Sequence, residues 1–296
     1  MRRPLDPLRV LPLAVALATA GAARAEGDAG VCVAVSPGEL ERVAGAVQRS
    51  LGAPSLRLDV RDRREREQLS TRCGRLVIAV GPDALRVVAE RAPGSPTLHV
   101  MAANARTGGA GGVLAYAEPR RVLETLRQLA PRVRRVGAVY DPALTGALVA
   151  EGEAAARAAG LELVALPARS VGEAVRAFHR FEADLRVDAL WLLPDGTATV
   201  QETVYYALEL AHWRRMAVIG LSRWYVASGA LFALAPRPES CGAAAGALGQ
   251  QLLRGGPPPG PVYGCEYSLY VNQRTATQLG LEVPRRLLEG ADQVLP

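Results

Sequence analysis

The residues best suited to hold a small molecule are a short run, Arg223-Trp224-Tyr225, and a loop, Asp195-Gly196-Thr197. A guanidinium beside aromatic rings can clamp a carboxylate and offer a face to a planar group. Ser36, Asp83, Asn104, Tyr140 and Ser222 join this set, because they stand at or just past the carboxyl ends of apolar runs that read as strands. Blander roles compete for each of them. Ser36 and Asp83 can act as helix caps, Asp195-Gly196 as an ordinary turn, Arg223 as a surface charge and Trp224 as core. No comparable set supports catalysis. His99, His179 and His212 fall in no metal-ligand spacing, and H-E-x-x-H, G-x-S-x-G and phosphate-loop motifs are absent. Gly108-Gly109-Ala110-Gly111-Gly112 is not G-x-G-x-x-G, so a dinucleotide fingerprint is unsupported. The residue types therefore point to a binder rather than an enzyme, with no cofactor or metal.

These side chains need strand ends to present them, and the hydrophobic pattern supplies such ends twice. Residues 31–35, 55–60, 76–80 and 97–102 read as strands. Helices are expected at 37–50, with Ser36-Pro37-Gly38-Glu39 as a capping box, at 63–70 and at 82–92. The glycine-rich stretch at 108–112 follows and reads as an interdomain crossing. A second series then runs with strands at 135–140, 161–166, 189–193 and 216–220. Its helices are expected at 119–129, 145–159, from 171 behind the capping box Ser170–Glu173, and at 199–213. Alternation of this kind implies an α/β fold of two Rossmann-like lobes, each a parallel sheet with helices on both faces. Ligands gather at the carboxyl ends of such strands, hence in a cleft between the lobes. Helices expected to begin at Pro37, Pro82 and Thr197 would aim free N–H groups there and favour a ligand with a carboxylate or other anion.

Composition narrows the classes further. The chain has 296 residues, is 49% hydrophobic and 5% aromatic, and carries a formal net charge of +6. All its cations apart from histidine are arginines. Arg2, Arg3, Arg9 and Arg24 lie in the first 25 residues, where Asp6 is the only acid, so the excess halves beyond that point. The densest charged run, Arg61 to Glu67, mixes signs, unlike a surface that tracks phosphates, and nucleic acid is not an expected partner. The basic start, the short apolar stretch from Val10 to Ala20 and Ala23-Arg24-Ala25 form a secretory signal peptide over residues 1–25. The mature chain is expected to be a free periplasmic monomer. Export permits disulfides. Cys32 and Cys73 begin or precede strands that would be neighbours, so Cys32–Cys73 with Cys241–Cys265 is the expected pairing, against four buried free thiols.

The last third is the most distinctive. It reads Ala217 to Tyr225, Ser228 to Leu234, a small-residue helix from Cys241, and then Val271-Asn272, Thr275-Ala276, Leu279-Gly280-Leu281, Val283-Pro284, Leu287-Leu288, Ala291-Asp292 and Val294. This spacing resembles the closing segment of the periplasmic substrate-binding proteins of a family of bacterial ABC importers that includes tryptophan/tyrosine-type binders. The resemblance runs from about Val113 to the end. The first lobe matches in element order but lacks the family's acidic-proline loop. The resemblance implies a type I periplasmic binding protein fold, with three crossings near 108–114, 226–229 and 260–266. The lobes would then comprise residues 26–112 with 227–259, and 113–226 with 260–296. Asp195 would occupy a cleft-lining loop. The partners implied are a small-molecule ligand and an inner-membrane ABC permease with its ATPase. The alternative is a sensor or carrier of the same fold serving a membrane receptor or another transport system.

Overall fold

A computed structural model describes residues 30–102 and 111–296. The expected signal peptide, Asn104 and the first part of the glycine-rich stretch lie outside the described residues. The first series is β1 Val31–Val35, α1 Glu41–Leu51, β2 Leu56–Asp59, α2 Arg63–Arg72, β3 Leu76–Val80, α3 Pro82–Arg91, β4 Thr97–Val100 and β5 Gly111–Val113. The second is α4 Pro119–Leu129, β6 Arg135–Tyr140, α5 Pro142–Ala158, β7 Glu162–Pro167, α6 Val171–Arg180 with a π-helical turn at Phe181–Leu185, β8 Ala189–Trp191, α7 Gln201–Arg214, β9 Ala217–Gly220, α8 Arg223–Ala227 and β10 Phe232–Pro236. The chain closes with α9 Pro238–Leu253, β11 Pro261–Val262, β12 Tyr267–Asn272, α10 Gln273–Gln278, α11 Arg285–Gly290 and β13 Gln293–Leu295.

Two sheets result. The first is parallel throughout, in the order β11-β5-β4-β3-β1-β2. The second has the order β13-β12-β10-β9-β8-β6-β7, with β12 antiparallel to β10 and the β6–β10 ladders parallel. The unbroken apolar runs suit strands covered on both faces. Val31, Val33 and Val35 face α1 and α9, while Cys32 and Ala34 face the core under α2 and α3. Disulfides join Cys32 to Cys73 and Cys241 to Cys265.

Several elements depart from the sequence reading, each for a local reason. The capping box at Ser36 does not operate. Gly38 has φ 118°, a conformation no helix contains, and α1 starts only at Glu41 behind Leu40. Ser170 does cap α6, accepting from Glu173 N at 3.3 Å, while the Glu173 carboxylate reaches Arg169 N. Gly111–Val113, read as part of a crossing, are a strand. A Cβ on Gly112 would stand 2.1 Å from His99 O, and one on Gly111 1.7 Å from Pro259 O, so glycine is what lets these backbones approach.

The crossings therefore fall at residues 114–118, at Arg237 and at 263–266. The second lies later than the expected 226–229, because residues 223–227 form α8 and β10 pairs with β9 and β12 in the second sheet. Residues 232–236 thus belong to the second sheet, and α9 packs on α1 and the first. All three crossings join the carboxyl ends of the parallel strands of one sheet to the same end of the other.

Candidate functional site

The space flanked by those carboxyl ends is built on the second sheet from a polar frame and an apolar pocket. The frame begins where β6 ends. Asp141 caps α5, its Oδ1 accepting from Ala143 N at 2.9 Å. The buried Asp195 carboxylate accepts from Asp141 N at 2.8 Å and Thr145 Oγ1 at 2.5 Å through one oxygen. Through the other it accepts from Thr197 N at 2.9 Å and Ala198 N at 2.8 Å. Thr197 Oγ1 closes the circuit by donating to Asp141 Oδ2 at 3.0 Å. Here the sequence candidates Asp195 and Thr197 meet, but Asp195 has no lone pair left facing solvent. It pins the 193–198 loop to the start of α5 and holds the site's floor in place.

Beside the frame lies a pocket of about 150 Å³. Tyr116 from the first crossing, Leu148 from α5, Trp191 and Pro194 from the end of β8, Leu221 beyond β9 and Leu234 from β10 line it, with no charged side chain. Gly152 on α5 lets the Trp191 ring seat itself, since a Cβ there would stand 2.8 Å from the indole. An apolar cavity of this size holds one aromatic ring. The sequence reading sought polar residues just past strand ends and so passed over these apolar ones. Trp191, at the carboxyl end of an apolar strand, was the one available signal.

The other candidates sit around this centre. Tyr140 is half-buried at the end of β6, and Ser222 is half-buried at the start of α8 without a capping bond. Arg223 is exposed and donates through Nε to Gln293 Oε1 at 2.6 Å. Trp224, exposed, packs edge-on against Tyr205 and Tyr225, with ring centroids 5.8 and 5.1 Å away. Burial raises the Tyr225 phenol above its usual range, so it stays a neutral donor. On the first sheet Ser36 is half-buried after β1, and Asp83 is exposed in the first turn of α3, 4.0 Å from Arg86. The helix ends differ from expectation too. α7 begins at Gln201, and Asp141 and Asp195 already take the amides at the second sheet's rim. Gly81 leads α3 without a side-chain cap, and Pro82, the first residue of the helix, has no N–H, so the amides of that turn begin at Asp83. Among the described residues no cluster of three metal-ligating side chains occurs.

Two α/β lobes with mainly parallel sheets, linked by three crossings, define a type I periplasmic binding protein fold. The sequence profile described as ABC transporter substrate binding protein matches residues 111–295, and the chain belongs to that family. No curated protein matches it. Among solved structures it is similar to an ABC domain in complex with L-Trp from Streptococcus pneumonia, with 19% identity, TM-score 0.61, and 90% of this chain and 99% of the other covered. A conserved domain protein from Vibrio cholerae gives 17%, 0.62, 89% and 98%. The ligand-free, open structure of a substrate binding protein with adhesive properties from Clostridium difficile gives 15%, 0.62, 90% and 98%. At these identities the likeness concerns the fold.

Proposed function

We propose that this chain is the periplasmic ligand-capturing component of an ABC importer. It takes a small molecule with an apolar, ring-sized group and an anionic group, and delivers it without chemical change to a membrane permease and its ATPase. The observation that carries this reading is the uncharged 150 Å³ pocket at the strand ends, beside the segments on which the lobes hinge. The apolar group sits against Trp191, Leu148 and Leu221, and the anion meets the uncapped start of α3 when the lobes close. Closure then follows from the ligand's higher affinity for the closed form. Family membership supports the transport role, and the similar structure holding L-Trp makes L-tryptophan the first probe. The test is a thermal-shift series of L-tryptophan, L-leucine, their amides and neutral sugars, followed by calorimetry. A ligand at a hundred times its Kd adds about 2.7 kcal/mol. Stabilisation by a neutral sugar alone, or turnover of any compound, would sink the reading.

A further inference from the structure

The second lobe has a far pole, at the amino ends of β6, β8 and β9, that takes no part in the cleft. There a cavity of about 230 Å³ is lined by Arg132, Arg214, Arg215 and Asp188 over a base of Val133, Met216 and Leu279. Arg134, Arg135 and Arg186 flank it. Asp188 receives Arg134 N and Arg135 N at 2.7 and 2.8 Å, which places these chain segments together. The carboxylates at this pole are largely committed. Asp188 is held by those two amides, Glu182 by Arg214 at 2.6 Å and Glu162 by Arg135 at 2.9 Å. Asp184 is a further exposed acid on the adjoining π-helical turn. The guanidiniums are not committed to the same degree. Among the described residues the Arg134 guanidinium donates only to the carbonyls of Pro131 and Val133, and that of Arg215 to Gln278 O. Arg132 and Arg186 have exposed side chains with no hydrogen bond or ion pair among the described residues. Trp213, one residue before Arg214 near the end of α7, is 75% exposed, more than any other large apolar side chain among the described residues.

We infer that this pole is a docking surface for an anionic phospholipid bilayer. Arginines without carboxylate partners supply the attraction to lipid phosphates, and Trp213 supplies a ring of the kind that settles at the headgroup level. Along α2 exposed charge alternates in sign, whereas at this pole a projecting tryptophan accompanies Arg132, Arg134, Arg186 and Arg215, none of which holds an ion pair among the described residues. The contact leaves the cleft untouched and keeps the protein beside the membrane that its permease would occupy.

The test is co-sedimentation of the full chain, without cleft ligand, with vesicles of pure phosphatidylcholine and of phosphatidylcholine containing phosphatidylglycerol. The anionic vesicles should bind it, with affinity falling as salt rises, and the zwitterionic ones should not. Removing Arg132 and Arg186 together (Arg132→Gln, Arg186→Gln), whose side chains hold no internal bond among the described residues, should weaken binding about fivefold per arginine. Trp213→Ala should abolish the blue shift of tryptophan fluorescence that accompanies binding. A charge-matched pair on the first lobe, Arg49→Gln with Arg91→Gln, should change little. Equal binding to both vesicle types, equal losses from the two arginine pairs, or full competition by soluble glycerol phosphate at low millimolar concentration would each overturn the assignment.

Discussion

His99 and Asp195 show opposite uses of a buried polar side chain. His99 lies on β4 with both ring nitrogens buried and without a partner among the described residues. Desolvation lowers its pKa from 6.5 to about 4. Its unfolded form therefore takes a proton as pH falls below 6.5, while the folded form resists until about 4. Stability is full above that window and declines through it, by about 3 kcal/mol at most. Urea midpoints measured from pH 7 to 4 should show this decline, and His99→Leu should flatten it; an unchanged slope would show that other groups govern acid stability. Asp195, by contrast, satisfies four donors. Asp195→Ala should cost about 2–4 kcal/mol by leaving buried amides unpaired. If Asp195 only supports the floor, variants that still fold should bind a cleft ligand with the native Kd at low temperature; a large loss of affinity at unchanged stability would instead mark it as a ligand contact. The Asp-Gly-Thr spelling marked a loop worth attention. It could not say whether the carboxylate faces ligand or backbone, because that depends on where the ends of β6 and α5 come to rest.

At the scale of elements, strands and most helices were legible because burial on both faces leaves uninterrupted apolar runs. The strand at 76–80 and the helix at 119–129 fall where the pattern puts them. What resisted reading was any element defined by its neighbour. β5 has almost no side chains and exists because glycine lets it lie between β4 and β11. The small residues of α9 likewise gave a helix but no partner. In the structure α9 lies so close to α1 that a Cβ on Gly242 would stand 2.5 Å from Val43 O, and one on Gly246 2.5 Å from Val47 O. Ser50 Oγ bonds across to Ala243 O at 2.6 Å. Gly246→Ala should push the helices apart and cost about 1–3 kcal/mol. Gly290→Ala, at a position with nothing within 4 Å, should cost far less. Thermal unfolding of the two variants side by side distinguishes close packing from a general preference for glycine.

For the whole molecule, the question is how lobes joined by three strands can close. The second and third crossings are not independent. Cys241, just after Arg237, is bonded to Cys265. Arg237 N donates to Glu266 O at 2.8 Å, and Ser240 Oγ accepts from Glu266 N at 2.9 Å. The third is tied to the first, through Leu114 N to Val262 O at 2.9 Å and Tyr267 Oη to Tyr116 O at 3.3 Å. Bending must then be absorbed at the ends of this bundle rather than along three separate strands, which limits the paths of closure. The two disulfides should therefore differ in what their loss does. They close loops spanning 41 and 24 residues, so each should contribute about 3–4 kcal/mol by restricting the unfolded chain. Cys32–Cys73 lies inside the first lobe, and its replacement by serines should lower Tm while leaving the small-angle scattering of the free protein unchanged. Replacing Cys241 and Cys265 by serines should lower Tm comparably and also broaden the interlobe distance distribution. Ligand should then narrow that distribution again, at a weaker apparent affinity, because a wider ensemble holds a smaller closed fraction. Identical scattering from the two double variants would mean that the hydrogen bonds alone hold the bundle.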